Sequence, residues 1–153
     1  MHKLYYNSLE EEFEDRKEKG LIEQDRKLSA DDRKQIESEY ILRDLFLWAI
    51  LMNYVQMAIV ILSFMKYRLC SALIATKILK QYHSKASYGD LQRKYAANIK
   101  YFEDYACKCA VRCYENNPSR ACEIILQRNE FYGYITCLQV INKYFQFKFF
   151  IIL

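Results

Sequence analysis

Between Asp44 and Lys66 the chain runs for 21 residues without a charged side chain, LFLWAILMNYVQMAIVILSFM, and no other feature constrains its fold as strongly. A single helix of that length reaches across a bilayer. Two shorter helices buried inside a protein give the same composition. Asn53 and Gln56 separate the two readings. In hydrocarbon both amides need polar partners, and Asn is a poor residue for a helix interior but a good terminator. The stretch therefore predicts a turn at Asn53 between a helix over 41–52 and a second over 54–65. The alternative is a small single-span membrane protein that uses residues 45–65, with Lys66 and Arg68 marking the cytoplasmic flank.

The rest of the chain reads as helix too. Three Gly and one Pro are too few for the turns of a β-sandwich, so the fold class is all-α. The first helix presents Leu42, Leu45, Phe46, Ala49 and Ile50 on one stripe. A third apolar segment over 70–82 turns Leu73, Ile74, Ile78 and Leu79 inward, and SKASYGD marks a loop. A long helix over 91–114 buries Tyr95, Ile99, Phe102, Ala106, Ala110 and Val111. Asn117 then caps a helix that Pro118 opens, where a missing N–H costs nothing, and Ala121, Ile124 and Ile125 face the core. A last helix is expected over 135–144.

Three regions follow: a charged, partly disordered linker over 1–40, a helical repeat domain over 41–143 and a hydrophobic tail over 144–153. In the linker, Ser8 with Glu11 and Ser29 with Asp32 form capping boxes, but apolar residues are too sparse to offset the ordering entropy. Its helices, over 9–19 and 30–38, are marginal. The tail, about half a membrane span in length, exposes Phe, Ile and Leu side chains that favour aggregation. Shifting the sequence by 63 places Ala58, Ile61 and Leu62 on Ala121, Ile124 and Ile125. Helix pairs that recur in this way stack antiparallel into an ankyrin-like or armadillo-like solenoid.

Charge and chemistry narrow the function. Net charge is −3 over residues 1–43 and +7 beyond them. The later Lys and Arg are scattered singly, which favours a solvated face over a nucleic-acid surface. Of six cysteines, Cys70, Cys107, Cys109, Cys113, Cys122 and Cys137, the middle trio invites a metal reading. At about 100° per residue Cys109 and Cys113 share a face while Cys107 points away. Only His2 and His83 are present to complete a set of ligands, so the cysteines read as small buried hydrophobes in a reducing compartment. No phosphate loop, HExxH, EF-hand or nucleophile elbow occurs. The pair Glu103–Asp104 reads as solvated charge. Expected are no enzyme, no catalytic, cofactor or metal residues, and no cofactor.

RDLFLWAILMN (43–53) followed by QMA (56–58) resembles the N-terminal region of melastatin-type TRP (TRPM) cation channels, with its Leu-Trp-Ala motif, Asn and Met-Ala pair. ALIATKILK (72–80), FEDYACKCAVRCYENNPSRACEIIL (102–126) and TCLQVI (136–141) are similar to further segments of that family in the same order. Where the family usually carries Arg or Lys after the Asn, this chain has Tyr54, so its uncharged run is longer. The resemblance implies a cytosolic, helical, ankyrin-like or armadillo-like layer between the nucleotide-sensing domains and the membrane. Its partners would be the remainder of the channel polypeptide and the neighbouring subunits of a tetramer, with no nucleic acid. The full-length channel would carry calcium or monovalent cations, and this segment would hold neither pore nor catalytic group.

Overall fold

In this computed structural model, residues 29–87 and 89–142 are described. The uncharged stretch breaks where Asn53 predicts. Helix α1 spans Ala30–Leu51 and α2 spans Val55–Phe64. Asn53 takes φ 59°, in the left-handed region that Asn tolerates better than most residues. Its N–H donates to the Ile50 carbonyl at 3.1 Å and the Tyr54 N–H to that of Ala49 at 2.8 Å. These two bonds satisfy carbonyls that the helix end would leave open, in the manner of a Schellman cap. The Asn53 Oδ1 also accepts the Asn98 amide at 3.2 Å. Among the described residues no helix is long and apolar enough to cross a membrane, so the single-span alternative has no element to carry it. Asn53→Ala is expected to cost about 1–2 kcal/mol through the left-handed φ alone, and Asn53→Gly much less, as measured by urea unfolding.

Helix α1 begins earlier than the sequence pattern predicts and runs unbroken through residue 40. From Ala30 to Leu51 the chain contains neither Gly nor Pro, so nothing interrupts the helix once it is capped. The cap is the expected Ser29–Asp32 box, with the Asp32 N–H donating to Ser29 Oγ at 3.2 Å and Ser29 Oγ–H to the Asp32 carboxylate at 2.8 Å. The chain divides into two compact units, one through Ser38 and one from Glu39. In the first, the described residues are these capped opening turns. The Ser8–Glu11 box, the 9–19 helix and the 144–153 tail lie outside the described residues.

In the second unit, α3 (Arg68–Lys85) and α4 (Gly89–Asn116) make the most extensive helix–helix contact. They run antiparallel. Tyr82 near the end of α3 stacks on Tyr95 near the start of α4 with ring centroids 5.9 Å apart. Small side chains bring the helices together, since Ser71, Ala72, Ala75 and Thr76 of α3 and Ala106 and Ala110 of α4 are all buried. The two hydroxyls do not strand a polar group, because Ser71 donates to the Tyr67 carbonyl at 3.0 Å and Thr76 to that of Ala72 at 2.9 Å. Glu103, expected to be solvated, is half-buried and pairs with Lys80 at 2.7 Å across the same interface. Phe46 of α1 meets Phe102 of α4 edge to face with centroids 6.2 Å apart, both fully buried. Of the stripe expected on α1, Phe46, Ala49 and Ile50 are buried, whereas Leu45 is exposed.

Helix α5 (Pro118–Leu126) starts as expected, with the Asn117 side chain accepting the Arg120 N–H at 3.0 Å. The expected last helix begins later, at Cys137, and is described as far as Asn142. Ahead of α6 (Cys137–Asn142) stand two short antiparallel strands, β1 (Arg128–Asn129) and β2 (Ile135–Thr136), joined through a 3₁₀ turn at Glu130–Tyr132. Asn129 pairs with Ile135 and Arg128 with Thr136. Gly133 and Tyr134 both take positive φ, 72° and 59°, and the Tyr134 N–H closes the turn on the Asn129 carbonyl at 2.8 Å. Phe131 is buried here between the rings of Tyr40 and Tyr67, at 4.6 and 5.2 Å.

Candidate functional site

A cleft of about 340 Å³ opens where α3, α4, α5, β1 and α6 meet. Its cationic wall comes from three places in the chain. Lys66 and Arg68 sit at the α2–α3 corner, Arg120 in the first turn of α5, and Arg128 in β1. Among the described residues no Asp or Glu lines the cleft. The corner is held in shape by polar contacts: the Lys66 backbone N–H donates to both carboxylate oxygens of Glu39, at 3.1 and 3.2 Å, and the Arg68 Nε–H to the Met65 carbonyl at 3.0 Å. The Lys66 ammonium rests over the Tyr67 ring, 5.5 Å from its centroid. Arg120 pairs with the exposed Glu123 at 2.6 Å. Scattered singly in sequence, these basic residues converge only in three dimensions.

The apolar and thiol wall is made by Leu69, Cys70, Cys109, Cys113, Ile124 and Cys137. As their spacing predicts, Cys109 and Cys113 face the cleft together and Cys107 is absent from it. Cys107, Cys109 and Cys113, expected to be buried hydrophobes, are half-buried; Cys70 and Cys137 are buried and Cys122 is exposed. Burial pushes the Cys109 thiol up from its ordinary value, while the hydrogen bond from Tyr105 and the nearby Arg68 oppose this. The Cys70 and Cys137 thiols hydrogen-bond to each other, which raises the Cys70 thiol and lowers that of Cys137. Beside them the Tyr132 hydroxyl donates to Ser71 Oγ at 2.7 Å, and burial raises its titration. Among the described residues no three His, Cys, Asp or Glu side chains gather closely enough to hold a metal ion. His83 lies in the last turn of α3 and does not line the cleft.

Nothing in the sequence flags the Cys70–Cys137 pair. The two residues are far apart along the chain and meet because α6 packs on α3. Asn129 likewise escapes notice as a sequence signal, though its side chain accepts the Phe131 N–H at 3.0 Å and turns the strand that carries Arg128.

Comparison with known proteins places this arrangement in a family. The profile described as the TRPM2-like domain matches residues 1–150. Human transient receptor potential cation channel subfamily M member 5 is 32% identical over 107 residues, covering 70% of this chain and 9% of the relative. The subfamily M member 2 channels of rat and mouse are 31% and 30% identical over 98 residues, covering 64% of this chain and 6% of each relative. The chain thus spans less than a tenth of the length of these curated relatives. By its match to that profile over nearly its full length and by its likeness to these channels, the chain belongs to the TRPM2-like domain family.

Proposed function

We propose that the chain is a structural interaction module of a TRPM-like cation channel, on the cytosolic side, without pore or catalytic group of its own. The observation that carries this reading is an apolar face left open on α1 and α2. Ile41, Leu45, Trp48, Leu51, Met57, Val60 and Phe64 are all exposed there, Phe64 to 70%. An exposed apolar surface of this extent marks a site that another protein surface covers. In a chain that spans less than a tenth of its channel relatives, the covering surface is the remainder of the channel polypeptide and the neighbouring subunits of a tetramer. The full assembly would conduct calcium or monovalent cations.

The internal repeat supports stacking as an ankyrin-like or armadillo-like solenoid of antiparallel helix pairs. Ala58 and Leu62 of α2 are buried and Ile61 is half-buried, and Ala121, Ile125 and Ile124 of α5 repeat that pattern at the same offset. The regions proposed are a leader over 1–40, the helical module over 41–143 and a tail over 144–153.

A chimera tests the reading. The chain replaces the matching segment of human subfamily M member 5, and tetramers are counted by native gel and cell-surface labelling. Trp48→Glu with Phe64→Glu is expected to reduce tetramer yield at least about tenfold, because a buried charge at an interface costs several kcal/mol. The same pair in the isolated chain, where both sites are exposed, should change the unfolding free energy by less than about 0.5 kcal/mol. Tetramer yield indifferent to both substitutions would refute the proposal.

A further inference from the structure

Cys70 lies in the first turn of α3 and Cys137 opens α6. Both are only 3% exposed, yet both line the same cleft, where α6 packs on α3. They share the cleft with Lys66, Arg68, Arg120 and Arg128; Arg120 is paired with Glu123, and among the described residues no Asp or Glu lines the cleft. We propose that Cys70 and Cys137 are a reactive dithiol, closed to an intramolecular disulfide by exchange with a small anionic disulfide that the basic cleft admits.

The chemistry balances without a metal or further oxidant. Cys137 loses its proton, and its thiolate attacks one sulfur of the incoming disulfide. That S–S bond breaks, a mixed disulfide forms on Cys137, and the first small thiolate leaves and is protonated. The Cys70 thiol then gives up its proton and attacks Cys137 Sγ, expelling the second small thiol. The protein dithiol is oxidised by two electrons and the small disulfide is reduced to two thiols, which carry the two protons. The interaction between the two thiols lowers that of Cys137 and raises that of Cys70, in keeping with Cys137 as the attacking sulfur and Cys70 as the resolving one. The guanidinium and ammonium groups draw the anionic reagent and stabilise each departing thiolate. Closure ties α6 to α3 at the floor of the cleft.

Reduced full-length chain, kept free of air, is mixed with oxidised glutathione, which carries carboxylates, or with cystamine, which carries amines. Samples are alkylated and mapped by mass spectrometry without reduction, and each rate is taken relative to that of the same reagent with the urea-unfolded chain. The expected result is a peptide joining Cys70 to Cys137, lighter by two hydrogens, formed about tenfold or more faster with oxidised glutathione than with cystamine. Cys70→Ser is expected to trap the mixed disulfide on Cys137. Modification of the exposed Cys122 while Cys70 and Cys137 are recovered as alkylated thiols in the unaltered chain would overturn the dithiol. Equal relative rates for the two reagents would overturn the anionic selection, and a trapped adduct elsewhere would overturn Cys137 as the attacking sulfur.

Discussion

Phe102→Ala is expected to lower the unfolding free energy by about 3–5 kcal/mol, the range for removing a fully buried aromatic. Phe102 has no exposed surface, and its ring meets Phe46 edge to face with centroids 6.2 Å apart. It also stands edge-on to Tyr101, at 5.4 Å. Deleting the ring leaves a void at the contact between α1 and α4 that fixed helix backbones close only in part. Domains of ordinary stability hold about 5–15 kcal/mol, so this one change consumes a large share of it. Urea unfolding followed by far-UV circular dichroism measures the loss. Phe46→Ala removes the same contact from the other side. The double variant should therefore lose less than the sum of the singles, by about 0.5–1.5 kcal/mol. Strict additivity would show that the rings contribute area but no mutual interaction.

Ala106→Leu is expected to destabilise by about 1–3 kcal/mol for the opposite reason, too much volume rather than too little. Ala106 is fully buried on the face of α4 that meets α3, where Ala72 and Ala75 of α3 are also fully buried. Interiors packed near crystal density have no room for added carbons without shifting a backbone or forcing a rotamer. Ala97→Leu on the exposed side of α4 is the control, with a change within about 0.5 kcal/mol. A similar small change at both positions would mean that α3 and α4 are not in close contact at Ala106.

Much of this architecture is legible in the sequence, and the reason is local. Asn53 marks the end of α1 because a left-handed residue at that position is a property of three or four neighbouring residues. Asn117 followed by Pro118 announces α5 in the same way. The hairpin before α6 is not legible, because strands of two residues are too short to show an alternating pattern. Tyr134 at φ 59° is a conformation its own side chain does not favour, and the closing bond to Asn129 sustains it. Leu45 shows the limit of periodicity. It belongs to the helical stripe with Phe46 and Ala49 by spacing, yet no second element in the described residues covers it, and it stays exposed.

The candidate site divides along the same line. That Cys109 and Cys113 point one way and Cys107 another follows from helical rotation alone, and the cleft keeps that order. Class and family were likewise determined by the sequence: a helical chain, the break at Asn53, and the ordered motifs of a TRPM-like segment. Only the tertiary structure decided that Cys137 and Cys70 line one cleft, and that Lys66, Arg68, Arg120 and Arg128 line it with them. Helix spacing reports which residues share a face over a turn or two. Which faces then meet depends on how α6 returns to α3 after the hairpin, and that is settled by the packing of small residues and buried rings distant in sequence.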